Sequence, residues 1–214
     1  KMDTPEELVA ELRSVISTFR TTDFDHLVSQ GGSIEELGDA LGKIREKLLP
    51  YKVSGERMQA GLRPEEYSFR PDTPVRFDFS EIEPRHFFPY SPLIGDLNPI
   101  SPPFYFWKVD EFLLGRGTFD SQYCGPPEAV HGGHVAALMD ELLGVTGVVS
   151  GYGGFTGTLT VRYQATTPLD EEISLKGWIH KVEERKVTIR GELRTEEKIC
   201  VTAEGIFIQP RDDK

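Results

Sequence analysis

Leu8, Leu12, Val15 and Phe19, and then Ile34, Leu37, Leu41, Ile44 and Leu48, recur at alternating steps of three and four residues. That period places each set on one side of a helix, so two amphipathic helices are predicted within residues 1–50. Each stripe follows a residue set that satisfies the orphaned N–H groups of a first helical turn: Thr4-Pro5-Glu6-Glu7 and Ser33-Ile34-Glu35-Glu36. An apolar stripe needs a surface to pack on. The expected arrangement is a helical extension laid over the main domain, with a separate partner-binding module as the alternative.

Residues 51–103 lose all periodicity. Pro64, Pro71, Pro74, Pro84, Pro89, Pro92, Pro99, Pro102 and Pro103 exclude a continuous helix or a central strand, which predicts a long ordered arm or loop. From Phe104 onward the texture becomes that of strands, with runs at Phe104–Val109 and Phe112–Phe119. Four later runs alternate apolar and polar residues, carried by Leu159, Val161 and Tyr163; Ile173, Leu175 and Ile179; Val187, Ile189 and Leu193; and Ile199, Val201 and Ala203. Short charged connections such as Glu183-Glu184 predict antiparallel neighbours. Between the first two strands and the last four, Gly133–Val149 is apolar on nearly every side, as in a helix enclosed by protein. One such helix among six strands is best buried by a sheet curled around it, which gives an α+β domain over residues 104–210.

Composition narrows the class. With 38% apolar residues and no run near the roughly 18 needed to span a bilayer, a soluble chain is expected. The formal charge of −11 repels polyanions and argues against general nucleic-acid binding, although a local basic patch can still hold a phosphorylated ligand. Cys124 and Cys200 lack the C-x-x-C spacing of metal or redox sites, so both are expected to be reduced and structural. No basic and apolar leader follows Lys1, from which a cytoplasmic location is expected.

Asp140 and Glu141 interrupt the apolar helix. Burying an ionised carboxylate costs several kcal/mol unless it is paired or used, so at least one of the two requires a reason. At the mouth of the same helix stands His131-Gly132-Gly133. Glycines there permit close approach of a ligand to free N–H groups and the positive end of the dipole, a plausible oxyanion hole. Asp140 follows Gly133 by seven residues, about 10 Å along the axis at about 1.5 Å per residue. If both act on one small group, the Asp must come from a second subunit with an antiparallel helix. The spacing therefore predicts a dimer with sites at its interface. A helix-capping role for His131 and a satisfied structural carboxylate at Asp140 are the competing readings; His134 is expected at the surface of the first turn. The nearest helix carboxylate is too far from His131 and His134 to complete a tight metal site.

The HGG followed by Asp nine positions after His131, set within Gly125–Gly144, resembles the active-site segment of hotdog-fold acyl-CoA thioesterases of the phenylacetate-pathway type. Ile94-Gly95-Asp96-Leu97-Asn98-Pro99 and Leu159-Thr160-Val161-Arg162-Tyr163 followed by Pro168-Leu169 are similar to segments of the same superfamily, and the likeness extends over about residues 90–208. The resemblance implies a hotdog fold, hydrolysis of acyl-CoA thioesters within fatty acid metabolism, and a homodimer or dimer of dimers. It implies no metal or redox cofactor, coenzyme A being part of the substrate. Asp140 would be the base that activates water or the nucleophile that attacks the thioester; Gly132 or Gly133 would donate an N–H to the carbonyl oxygen; His131 would orient or polarise that carbonyl. Thr156 matches a family Ser/Thr that positions water. Strict alternation, however, puts Thr156 on the face opposite Leu159, Val161 and Tyr163. Where some members carry Asn, six residues before the histidine, this chain has Gly125.

Arg185 and Lys186 are the candidates for contact with the coenzyme A phosphates, with Arg162, Lys181 and Arg190 behind them. Solvated strand-edge charge is the competing reading. The aromatic run Phe104-Tyr105-Phe106-Trp107 is read as core before acyl pocket. Two other functions use the same pocket: acyl-CoA binding without catalysis, which the intact His131-Gly132-Gly133 and Asp140 set disfavours, and enoyl-CoA hydration, disfavoured by the nine-residue gap.

Overall fold

The computed structural model describes residues 2–54, 58–62, 88–102 and 104–209. Among the described residues, three α-helices precede the sheet: α1 (Pro5–Thr21), α2 (Phe24–Ser29) and α3 (Ile34–Leu48). Thr4 and Glu7 form the expected reciprocal cap of α1, and the Ser33 hydroxyl accepts from the Glu36 N–H at 3.1 Å to start α3. The extra helix α2 is six residues long, too short to carry a stripe, and is nucleated by Asp23, which accepts from the His26 N–H at 2.9 Å.

Among the described residues, α1 is the N-terminal helix with a firm seat on the rest of the fold. One guanidinium nitrogen of Arg13 donates to Gly95 O, Asp96 O, Asn98 O and Ser101 Oγ at 2.9–3.3 Å, clasping a turn of residues 88–102. Ser17 and Ser121 add a hydroxyl contact. The stripe of α3 stays exposed, Ile44 and Leu48 at 55% and 57%. Of the proline-rich arm, Pro64, Pro71, Pro74, Pro84 and Pro103 lie outside the described residues. Residues 88–102 run as successive turns that sink Ser91, Ile94 and Ser101 into the core.

One six-stranded antiparallel sheet follows: β1 (Tyr105–Val109), β2 (Phe112–Gly117), β3 (Phe155–Tyr163), β4 (Ile173–Glu183), β5 (Lys186–Arg194) and β6 (Ile199–Ile208), in the order β1-β2-β4-β5-β6-β3. Alternation decides the faces. Leu113, Ile173, Leu175, Val187, Ile189, Leu193, Val201 and Phe207 point inward and are buried against α4 (Gly132–Val149). The aromatic run is divided by the same rule: Phe104 and Phe106 join the core, while Tyr105 and Trp107 face outward, 42% and 39% exposed. Helix and sheet meet closely at Gly177 and Gly191, paired across β4 and β5, because a Cβ at Gly191 would come within 2.9 Å of Leu142. Leu138, Met139, Leu142 and Leu143 fill this trough with no exposure, each burial being worth roughly 1.5–3 kcal/mol.

Candidate active site

Strand β3 grips α4 at two points eight residues, about 12 Å, apart along its axis. Near the middle of α4, the Thr156 hydroxyl donates to Asp140 Oδ1 at 2.9 Å. At its start, Tyr163 Oη donates to Gly132 O at 2.7 Å. Both contacts come from the inner face of β3, which corrects the placement expected for Thr156. Gly157 is an extra residue: Thr156 pairs with Phe207 and Thr158 with Ile206. The bulge shifts the phase of alternation, so Thr156 shares the face of Leu159, Val161 and Tyr163 instead of opposing it.

His131 is the N-cap of α4, and its Nδ1 accepts from the Gly133 N–H at 3.0 Å. Capping, one of the two roles weighed for this histidine, is therefore made by the side chain itself. The same bond occupies one of the two glycine donors expected at the oxyanion position. Gly132 N–H takes no partner among the described residues. A Cβ at Gly133 would lie a tight 3.1 Å from His131 Cε1 and Nδ1, so glycine here leaves the ring room to fold back over the first turn. Gly125, in the place of the family's Asn, packs against the backbone of His131: a Cβ there would come within 2.7 Å of its Cα. A side chain does not fit at 125 on this backbone.

Asp140 is half-buried, and Thr156 is its hydrogen-bond donor. Glu141 has a different fate. Its Oε1 accepts from Ser91 Oγ at 2.7 Å, and Ser91 in turn accepts from the N–H groups of Leu93 and Ile94. Burial pushes the Glu141 carboxyl up from its ordinary value, the Ser91 bond works against that, and the neighbouring Asp140 charge adds to it. Both carboxylates are half-buried; Glu141 is the one tied to the 88–102 turns and disfavoured as an ion by its surroundings, and Asp140 is the one bonded to Thr156. His134 is exposed, as expected, and stands edge-on to Tyr123; burial and then the nearby His131 lower its pKa.

The cations on the late strands divide into paired and unpaired. Lys181 pairs with Glu183, and Arg190 with Glu204, each at 2.7 Å. Arg185 holds Gln209 O through Nε and Nη2 at 3.0 and 2.9 Å, with Lys186 exposed beside it. Arg162 lies on the exposed side of β3. Among the described residues, no group of three or more His, Cys, Asp or Glu side chains is placed to hold a metal, and no helix is long and apolar enough to cross a membrane. Tyr163, which secures the start of α4, has no role assigned from the sequence, where it appears as the end of the β3 alternation and of the Leu159–Tyr163 segment.

Residues 128–202 match the model of the thioesterase superfamily. Human acyl-coenzyme A thioesterase THEM5 is 31% identical over 87 residues, 40% of this chain and 35% of that protein. Xenopus laevis acyl-coenzyme A thioesterase THEM4 is 33% identical over 87 residues, 40% of this chain and 39% of that protein. The chain thus spans little more than a third of the length of these curated relatives. A solved thioesterase superfamily protein is similar over 97% of this chain and 92% of its own, with 27% identity and a TM-score of 0.77. That likeness takes in the N-terminal helices as well as the sheet. The segment that carries His131 and Asp140 thus matches the thioesterase superfamily over residues 128–202, and a six-stranded antiparallel sheet around one enclosed helix gives the described domain the hotdog fold of the solved superfamily protein.

Proposed function

We propose that this protein hydrolyses acyl-CoA thioesters to a carboxylic acid and free coenzyme A, as a homodimer with each active site shared between subunits. The observation that carries the reading is the Thr156–Asp140 bond. It leaves a half-buried carboxylate oriented by a hydroxyl, on the same helix whose start offers, among the described residues, an unpartnered Gly132 N–H beside His131. Gly132 and Asp140 are eight residues apart, about 12 Å along the axis, so one subunit does not bring them to a single carbonyl. Two α4 helices running antiparallel do.

In the base form of the mechanism, Asp140 of one subunit takes a proton from water, and the hydroxide adds to the thioester carbon. The oxygen that becomes negative is met by the Gly132 N–H and His131 of the other subunit, a preorganised donor being worth roughly 3 kcal/mol. The C–S bond then breaks and coenzyme A leaves as its thiolate. In the nucleophilic form, Asp140 attacks the carbonyl itself, the C–S bond breaks to release coenzyme A as its thiolate, and water then cleaves the resulting anhydride to the carboxylic acid and free Asp140. Thr156 orients the carboxylate in either form and fits the water-positioning role. Arg185 and Lys186 are the proposed contacts for the coenzyme A phosphates.

Free-thiol release from short, medium, long and aromatic acyl-CoAs tests the reading, with wild type beside Asp140→Asn at matched folding. Turnover by wild type and a loss of about a hundredfold or more in the variant is expected, the scale of a missing general base. Equal release by both proteins removes Asp140 from the chemistry. No release across the panel, with binding retained, moves the function to acyl-CoA binding without turnover.

A further inference from the structure

Tyr163, Gly132, Gly133 and His131 form one continuous hydrogen-bond chain. The Tyr163 hydroxyl donates to Gly132 O at 2.7 Å, and that carbonyl belongs to the peptide whose N–H, on Gly133, donates to His131 Nδ1 at 3.0 Å. A donor on the carbonyl polarises a peptide and strengthens what its N–H gives. A neutral imidazole has one donor and one acceptor nitrogen, so accepting at Nδ1 puts the proton on Nε2. We infer that Tyr163 is a positioning residue which, through the Gly132–Gly133 peptide, holds His131 as its Nε2–H tautomer and presents that N–H as a fixed donor beside the Gly132 N–H.

Three features of the chain fit this relay. Gly133 has no Cβ, which lets the imidazole close over its N–H without a shift, since that atom would stand a tight 3.1 Å from both Nδ1 and Cε1. The Tyr163 ring lies along Gly132, its Cε1, Cζ and Oη each 3.7 Å from where a Cβ would be, so the ring is seated as well as bonded. Third, Tyr163 belongs to the strand that orients Asp140 through Thr156, so β3 sets both halves of the proposed site. The inference rests on the thioesterase reading for its use, though not for its existence.

The test combines nitrogen-15 NMR of the His131 ring, exchange of the Gly133 amide, and steady-state kinetics, on wild type and Tyr163→Phe. The variant keeps the ring and removes only the hydroxyl. Wild type is expected to show a protonated Nε2 and an unprotonated, hydrogen-bonded Nδ1 for neutral His131. In Tyr163→Phe the Gly133 amide should exchange about fivefold faster or more and the Nδ1 resonance should move toward its unbonded position, as one hydrogen bond weakens. kcat should fall by a similar factor with KM changed less than about twofold, the pattern of an interaction used in the transition state. A protonated Nδ1 in wild type overturns the relay, as does a Tyr163→Phe protein whose Gly133 exchange and Nδ1 resonance are unchanged. If wild type has the predicted tautomer but releases no thiol, the relay stands and the hydrolase reading falls; if it releases thiol with Nδ1 protonated, the reverse holds.

Discussion

Two adjacent carboxylates on one apolar helix have opposite environments, and the difference is set by what each meets about 100° apart around the axis. Asp140 meets Thr156, whereas Glu141 meets the buried Ser91. The sequence shows that at least one of the pair needs a partner and does not show which, because Ser91 lies fifty residues away on a segment without periodicity. Glu141 makes a prediction for stability. Its folded pKa is raised, chiefly by burial, so between the unfolded and folded values the native state holds more protons than the unfolded one. Stability from this group is then complete below the unfolded pKa and is lost as pH rises through the folded one. Glu141→Gln keeps an oxygen for the Ser91 hydroxyl and removes the charge. Its melting temperature should exceed that of wild type increasingly as pH rises from mild acid to about 8, by about 2–4 °C for each kcal/mol in a chain of this size. Melting curves across that range provide the check, and a gap independent of pH would mean that ionising Glu141 costs the fold nothing.

The elements themselves were largely legible, since period and capping chemistry are local. Thr4 with Glu7, the alternation in β4 through β6, and the all-round apolar α4 each reach the structure as read. The misplacement of Thr156 has a single physical cause: one inserted residue, Gly157, reverses a period-two pattern, and alternation read backward from Leu159 cannot register it. The aromatic run 104–107 fails in a related way, because one label was given to four consecutive positions that a strand must divide between two faces. Docking of α1 was legible only as a need. Its stripe announces a partner surface, but the anchor is Arg13, a polar residue whose four acceptors lie on turns at residues 95–101. Arg13→Ala should therefore release α1 from those turns at a cost of about 1–3 kcal/mol, the range for hydrogen bonds to a charged group. Amide exchange along Pro5–Thr21 should quicken while β5 and β6 keep their protection. Unchanged exchange in α1 would assign its docking to Ser17 and the apolar stripe.

For the whole molecule, the question is what completes a site whose two halves lie at different positions along one helix. Among the described residues, strand β3 ends the sheet, pairing with β6 alone, and it is long and largely exposed, with Phe155 at 58% and Tyr163 at 52%. A nine-residue edge that no described strand covers is a liability of the kind natural proteins protect. In the dimer proposed above, the same edge of a second copy, related by a twofold axis, would cover it, set two α4 helices antiparallel and bring Asp140 of one toward His131 of the other. Mixing two crippled subunits tests that geometry directly. Asp140→Asn retains an intact His131-Gly132 turn, and His131→Ala retains an intact Asp140 with Thr156. Co-refolded at equal amounts, they should form about half heterodimers, each with one site built from two undamaged halves and one doubly damaged, so that about a quarter of wild-type thiol release returns. Sites contained within one subunit would give only the average of the two variants, because no chain in the mixture has both residues. Activity near a quarter, appearing at the rate of subunit exchange, is the result that a shared site requires.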